Sequence, residues 1–192
     1  MATTAETTST DAARAMTYSD LEQLPEDISQ RHEIISGELF VSPSPDLYHQ
    51  RVSGRLHAWL FDHVTKRGLG EVFSAPTDVK LSEYNVVVPD IAFVSRGRAG
   101  ITANGQVIDG APDLVVEIVS PSTRRRDLTH KFALYATAGV QEYWLVDLIA
   151  QKLQALTLID GLYQPIPGDG VPRSRILPDL TIDLDDLFAG LG

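Results

Sequence analysis

The feature that most constrains this chain is one apolar segment, "DLVVEIVS" at residues 113–120, which carries an acidic residue in its middle. A run of β-branched residues of this length is typical of a strand buried on both faces of a sheet. Glu117 stands at its centre, and an ionised carboxylate in such a place needs a counter-charge, a proton or a metal ion. The chain must therefore bring a partner for Glu117 from another element.

The composition excludes several classes of protein. Of the 192 residues, 43% are hydrophobic, which suits a globular core, and none is cysteine. Disulfide frameworks, thiolate zinc sites and cysteine nucleophiles are therefore excluded. The polar N-terminus lacks the apolar core of a signal peptide, and no apolar run is long enough to span a bilayer. We expect a disordered tail over residues 1–16, a single domain over 17–192, and a cytoplasmic protein without membrane contact.

The charge is unevenly distributed along the chain. The formal net charge is −10, from 16 basic and 26 acidic residues, which argues against binding nucleic acid over a broad basic face. Residues 96–131 nevertheless carry six basic and four acidic residues. We therefore expect phosphate contacts to be local, over the loop from Arg96 to Gly110 and over Arg124, Arg125 and Arg126.

The N-terminal half begins with a hairpin and a long helix. Residues 31–42 contain a short apolar run on either side of Gly37, which predicts two short strands joined by a turn. Asp46 is a good N-cap for an amphipathic helix, and the glycine at Gly68 is expected to end it.

The rest of the chain predicts further strands around a second helix. We expect segments 71–81, 85–95 and 113–120 to form the centre of one sheet. The second helix should run from about residue 127 to 137, and Asp160–Gly161 should turn a hairpin. The last segment, "LTIDLDDLF", should pack back on the sheet. This order of elements predicts an α+β fold with a mixed sheet.

Two acids lie on strands that we expect to be neighbours. Asp90 follows Pro89, which cannot donate to a sheet ladder, so the strand should be irregular there. Glu117 comes 27 positions later. Carboxylates on adjacent strands suit Mg²⁺, which binds one or two carboxylates with waters and phosphate oxygens and promotes phosphoryl transfer. Lys131, near the start of the following helix, is placed to steer a water or to stabilise a pentavalent phosphate there.

Several segments resemble a known family. "RHEIISGEL", "SPSPDLYHQRVSGRL", "PD", "EIVSPST", "RRRDLTHK" and "GVQEYWLVD", in this order, resemble the Uma-two family, whose members are classed as restriction endonucleases of the PD-(D/E)xK nuclease superfamily. The resemblance covers residues 18–188. It implies a restriction-endonuclease-like fold, with a mixed sheet core flanked by helices and extra hairpins, and Mg²⁺- or Mn²⁺-dependent cleavage of nucleic acid.

The resemblance also assigns roles to residues. Asp90 matches the first acid of the motif and Glu117 the (D/E) position, and both are expected to bind metal. The motif's lysine position, two residues after that acid, is Val119 here, so the resemblance makes Lys131 its substitute. We expect Lys131 to act in catalysis from the surface of its helix, and its replacement by alanine to leave the melting temperature almost unchanged.

An additional acid in such sites comes from the N-terminal region. Glu38 is preferred to Glu33 because it lies beside the Gly37 turn, although both also suit exposed hairpin positions. His49, on the first turn of the long helix, is placed to approach the same cleft, but we prefer to interpret it as a polar helix residue and not as a ligand.

The arginine run and the aromatic residues have structural alternatives. One or two of Arg124, Arg125 and Arg126 are expected to contact substrate phosphate, and the others to be solvated or to pair with an acid. Tyr143 and Trp144 alternate across a strand, which predicts core aromatics and not stacking platforms for bases.

The sequence therefore predicts a metal-dependent endonuclease that hydrolyses phosphodiester bonds, with DNA as the expected substrate and homodimerisation left open. The alternative is a non-catalytic binding protein or oligomeric scaffold that retains the nuclease fold, since fold does not imply function. The acidic composition and the displaced lysine favour that alternative.

Overall fold

A computed structural model of the chain describes residues 14–25, 29–119, 130–168 and 172–191. Eleven strands lie within these ranges. In chain order they are β1 Gln30–Ile35, β2 Glu38–Pro43, β3 Gly70–Ser74, β4 Val79–Ser82, β5 Asn85–Val87, β6 Ile91–Ser95, β7 Ile108–Asp109, β8 Leu114–Val119, β9 Glu142–Asp147, β10 Lys152–Ile159 and β11 Leu162–Pro165.

The strands form two sheets. The first has five strands in the order β2-β1-β5-β4-β7, and the second has six in the order β11-β10-β9-β8-β6-β3. In the second sheet β8 pairs antiparallel with β6 and parallel with β9, so the sheet is mixed. The predicted α+β fold with a mixed sheet is confirmed.

The helices of the described ranges are few and mostly short. They are α1 Tyr18–Leu21, α2 Leu47–Arg67, α3 Phe132–Ala138 and α4 Leu184–Leu187, with a 3-10 helix at Arg96–Thr102. None of them is both long enough and apolar enough to cross a membrane.

The core strand β8 is buried along its whole length, as its β-branched residues predict. Val116 and Ile118 pack on the side of α2, in the cluster that also contains Trp144. Val115 points to the opposite side, towards Tyr135 of α3. Because side chains alternate along a strand, Glu117 also points towards α3.

Helix α2 begins and ends where the sequence predicts. The Asp46 side chain accepts a hydrogen bond from the backbone N–H of residue 49 at 2.9 Å, and Gly68 ends the helix in the left-handed region at φ 60°. The side chains at 52, 56, 60 and 64 recur every four residues and are at most 1% exposed. This stripe packs α2 on the six-stranded sheet.

The three segments predicted to form one sheet supply its neighbouring strands β3, β6 and β8, but the first two segments do so with only part of their length. Segments 71–81 and 85–95 each break, so that β3 and β6 join the six-stranded sheet while β4 and β5 join the five-stranded one. The second break falls at Pro89, which has no backbone N–H for a ladder. Asp90 therefore lies where the chain passes from one sheet to the other.

The C-terminal segment is fastened to the six-stranded sheet through Glu142 of β9. This side chain is completely buried and accepts hydrogen bonds from Ser174 Oγ at 2.8 Å and from the indole N–H of Trp144 at 3.1 Å. Leu187 and Phe188 then enter the core beside α2. The prediction that the last segment packs back on the sheet is confirmed.

Two predictions fall partly outside the described residues. Of the expected tail over residues 1–16, only 14–16 are described, and the N–H of Met16 donates to the carbonyl of Gly37 at 2.8 Å. The expected helix over 127–137 is described from Phe132 to Ala138.

Candidate active site

Asp90 is buried at the junction between the two sheets, with its side chain 2% exposed. Its Oδ1 accepts a hydrogen bond from Nη1 of Arg31 at 2.7 Å. Its Oδ2 accepts from the backbone N–H of Ile118 at 2.8 Å and from Nε2 of His49 at 3.1 Å. Both carboxylate oxygens are therefore hydrogen-bonded, and one of them contacts a cation.

These contacts keep Asp90 ionised. Burial by itself raises the pKa of the carboxyl, but the hydrogen bond and charge of His49 and the charge of Arg31 outweigh it. The pKa of Asp90 consequently lies below its ordinary value. At neutral pH the site contains a buried carboxylate anion.

Glu117 finds its partner in Lys131. The Lys131 Nζ lies 2.9 Å from Oε1 of Glu117 and 2.7 Å from Oε1 of Glu33, and these three side chains are at most 3% exposed. The hydroxyl of Tyr135 donates to Glu117 Oε1 at 2.7 Å, and the N–H of Val88 donates to Glu33 Oε1 at 2.9 Å. One buried ammonium thus forms an ion pair with each of the two glutamates.

The hydroxyl of Tyr135 keeps its proton in this cluster. Burial and the negative charge of Glu117 raise the pKa of Tyr135 well above its ordinary value. The hydroxyl is therefore a hydrogen-bond donor to Glu117 at any pH near neutrality.

The Asp90 group and the Glu117 group adjoin across the strands β6 and β8. Ile91 and Val116 face each other in the antiparallel register. The backbone N–H of Asp90 donates to the carbonyl of Val116 at 3.1 Å, and its side chain accepts from the N–H of Ile118. Asp90 is thus hydrogen-bonded to the residues on both sides of Glu117.

A cleft of about 860 Å³ opens beside this cluster. Arg31 from β1 and His49 from α2 line its wall, and both bond to Asp90. Asp90, Glu117 and Lys131 lie behind that wall. A ligand in the cleft could therefore contact the two side chains that bond to Asp90.

Comparison with known proteins identifies the family. The model of the Uma2 family, described as "Putative restriction endonuclease", matches residues 18–185. The chain belongs to the Uma2 family. This is the Uma-two family whose segments the sequence resembles.

Two relatives agree with this assignment. A crystal structure of "a putative nuclease belonging to DUF820" from Anabaena variabilis ATCC 29413 matches with a TM-score of 0.76 and 22% identity, covering 92% of this chain and 99% of that one. "Uncharacterized protein sll1609" of Synechocystis sp. is 24% identical over 143 residues, covering 73% of this chain and 80% of the relative. The first shows a shared fold, and with the family it points to a nuclease.

The Uma2 fold brings together the residues predicted for the site. Asp90 directly precedes β6, Glu117 lies in β8, and Lys131 is the N-cap of α3. The three residues meet in one buried cluster. His49 contacts Asp90 directly, so it is more than a polar residue on a helix surface. Their roles in metal binding and catalysis stay predictions.

The N-terminal acid in the cluster is Glu33. Its side chain is 1% exposed and bonds to Lys131, whereas Glu38 is exposed at the start of β2, opposite Ile35. The preference for Glu38 does not match this placement. Proximity to the Gly37 turn favours exposure, because the turn end of a hairpin projects from the sheet.

The expectation that Lys131 lies on the surface is wrong. Its side chain is 2% exposed and is enclosed by Glu33 and Glu117. A lysine at the N-cap of a short helix looks solvated in sequence, but here the ammonium supplies the counter-charge of two acids. Its removal must therefore affect folding as well as any chemistry.

Sequence reasoning missed Arg31 and Tyr135, although each left a signal. Arg31 lies two residues before Glu33, which places both on the same face of β1. Tyr135 lies four residues after Lys131, which places both on one side of a helix. Each residue could have been found from its spacing to a predicted site residue.

Asp78 is a further acid that the sequence analysis did not single out. It lines the cleft, and burial raises its pKa, with the charges of Glu33 and Glu22 adding to the effect. The cleft thus contains a carboxyl that takes a proton more readily than usual.

The predicted phosphate-binding arginines are not part of the described cluster. Arg124, Arg125 and Arg126 lie outside the described residues. Arg96 and Arg98 follow the far end of β6, six and eight residues beyond Asp90, and six residues along a strand span roughly 20 Å. Arg98 lies 3.5 Å from the carboxylate of Asp113.

The donor set of the cluster fits a hard divalent cation in kind. Such ions take carboxylate oxygens, and Mg²⁺ needs only one or two of them with waters and phosphate oxygens. Glu33, Asp90 and Glu117 supply carboxylate oxygens to the cluster, and Arg31 and Lys131 lie beside them. Within the described residues no group of three or more acids and histidines could hold a metal ion, so a cation at this cluster would take waters and phosphate oxygens as its other ligands.

Proposed function

We propose that this Uma2 protein hydrolyses phosphodiester bonds of nucleic acid, with DNA as its substrate, and that Asp90 and Glu117 hold Mg²⁺ or Mn²⁺. The observation that carries the proposal is the convergence of Asp90, Glu117 and Lys131. They come from separate elements and meet behind the wall of one cleft.

The chain's own residues would perform distinct parts of the reaction. A divalent cation at Asp90 and Glu117 supplies Lewis-acid activation of a phosphate and a water. The backbone N–H of Ile118 and the imidazole of His49 fix the orientation of Asp90. Lys131 holds the Glu117 carboxylate through its 2.9 Å contact and offers its ammonium to the charge that develops on phosphate oxygens.

The same contacts also favour a second function, that of a scaffold without catalysis. Asp90, Glu117 and Lys131 are nearly inaccessible, and their charged atoms are already bonded within the protein. A buried ion-pair network of this kind would join the two sheets without any chemistry, and such networks specify structure in some proteins. The nuclease would cleave nucleic acid in the presence of a divalent metal ion, whereas the scaffold would not.

A cleavage assay separates the two functions. Supercoiled, linear and single-stranded DNA and RNA are incubated with the wild type in Mg²⁺, in Mn²⁺ and in EDTA. We expect metal-dependent cleavage that falls at least about a hundredfold in Asp90→Asn, because the variant keeps the side chain's shape and removes its charge. Asp62→Asn on the exposed face of α2 is the matched control and should cleave normally.

Two results would contradict the proposal. Equal cleavage by wild type and Asp90→Asn would place the activity elsewhere or in a contaminant. Absence of cleavage on every substrate, with both proteins folded by circular dichroism, would favour the scaffold. Two further expectations stay predictions. Binding of the same substrates tests the phosphate contacts of Arg124, Arg125 and Arg126, and a sedimentation experiment tests homodimerisation.

A further inference from the structure

Arg31 occupies an unusual place among the described arginines. Its guanidinium donates to Oδ1 of Asp90 at 2.7 Å, and its side chain, 20% exposed, also lines the cleft. By contrast, Arg51 and Arg55 of α2 donate to backbone carbonyls of the C-terminal segment. Arg31 is thus a cation seated between a site carboxylate and the open cleft.

The charges of the cluster divide into two parts. Lys131 is shared between Glu33 and Glu117, and both contacts are shorter than 3 Å. Arg31 is the cation that contacts Asp90, together with the imidazole of His49. If Arg31 left Asp90, the carboxylate would keep its hydrogen bonds from His49 and Ile118 but would lose its permanent positive neighbour.

A divalent ion on Asp90 would approach the position that Arg31 holds. Mg²⁺ and Mn²⁺ bind carboxylate oxygens at about 2.1 Å, and like charges a few ångströms apart in a buried site repel strongly. Oδ2 already accepts two hydrogen bonds, from Ile118 and His49, so Oδ1 is the oxygen with room for another ligand. That oxygen is the one bonded to Arg31.

We propose that Arg31 is the internal counter-ion of Asp90 in the metal-free protein and competes with the divalent cation for this carboxylate. Metal binding releases the guanidinium into the cleft, where a planar donor fork suits a phosphate diester. The proposal rests on the metal site of the proposed function. It adds that the protein exchanges one cation for another at Asp90, so that metal and substrate binding are coupled.

Calorimetric titration of the full chain with MnCl₂ tests the competition directly. Arg31→Gln removes the competing charge and should bind Mn²⁺ about tenfold more tightly than wild type, or better. Arg31→Lys keeps a charge at the site and should fall between the two. Arg51→Gln, an exposed arginine bonded to the carbonyl of Gly190, is the matched control and should bind as the wild type does.

A second measurement titrates the wild type itself and needs a variant only to assign one signal. The side-chain N–H signals of arginine are followed by nuclear magnetic resonance during titration with Mg²⁺, and the Arg31 signal is assigned by its loss in Arg31→Lys. We expect the Arg31 signal to shift with saturating behaviour while the signal of Arg51 stays in place.

The outcomes distinguish this inference from the proposed function. Equal Mn²⁺ affinity in wild type and Arg31→Gln, or an unmoved Arg31 signal in a protein that binds metal, overturns the competition and leaves the metal site intact. Failure of every variant to bind Mn²⁺ removes the metal from both proposals. Tighter binding by Arg31→Gln without any cleavage would support the competition while the proposed hydrolysis fails.

Discussion

Replacement of Lys131 by methionine is the perturbation that most directly tests how the cluster is held. Methionine preserves most of the side chain's length and volume and removes only the charge and its donors. The variant leaves Glu33 and Glu117 as neighbouring buried acids with no ammonium between them. We expect the protein to fold less stably, because the two short contacts between the ammonium and buried carboxylates are lost.

The magnitude follows from the burial and the two short contacts. The Lys131 Nζ lies 2.7 and 2.9 Å from the two carboxylates, and all three side chains are at most 3% exposed. Removal of one partner of such a pair costs about 3–5 kcal/mol of unfolding free energy. For a chain of this length about 2–4 °C is lost per kcal/mol, so the melting temperature should fall by about 6–20 °C.

Differential scanning calorimetry of wild type and variant gives this number, and the chain offers a matched control. Lys66 forms an i,i+4 pair with Asp62 in which the side chains are 70% and 60% exposed. Such surface pairs contribute about 0.3–0.5 kcal/mol, so Lys66→Met should melt within about 2 °C of wild type.

The double variant Lys131→Met/Glu117→Gln adds a further check. It removes one of the two acids as well as the cation, so it should recover part of the stability that Lys131→Met loses. The reasoning is refuted if Lys131→Met melts as close to wild type as Lys66→Met does, since the ammonium would then contribute no more than a solvated one.

Two further predictions concern stability. The pKa of Asp90 in the folded protein lies below the ordinary value of 3.8. The carboxylate therefore stabilises the fold above pH 3.8, and this contribution is lost as the pH falls through the lower folded pKa. In urea unfolding, the stability of Asp90→Asn should approach that of wild type below pH 3.8. In Gly54→Ala of α2 the new Cβ meets no atom within 4 Å, so the variant should stabilise the protein by about 0.5–1 kcal/mol. Gly70 has φ +157°, and a Cβ there would overlap the Val94 carbonyl oxygen, so Gly70→Ala should destabilise the protein. The opposite order of stabilities in urea unfolding would contradict this packing.

The cluster shows why some site residues could be predicted and others could not. Glu117 and Asp90 stood out because an acid is conspicuous within a buried strand or directly after a strand proline. Lys131 was identified through the family resemblance, but its burial could not be foreseen because it depends on Glu33, which lies 98 positions earlier in the chain. The choice between Glu33 and Glu38 could not be made from the sequence, because nothing local distinguishes an inward glutamate from an outward one on a short hairpin.

The sequence by itself determined the local elements. Helix α2 is defined by its N-cap Asp46, by apolar residues at every fourth position and by Gly68 at its end. Strand β8 is defined by its run of β-branched residues. Both could be predicted because capping, helical period and strand propensity act between near neighbours. Only the tertiary structure decided that consecutive strands divide between two sheets and that Arg31 reaches Asp90, 59 positions away. Pairing between distant segments is selected by the packing of the whole core, so no short stretch of sequence carries that information.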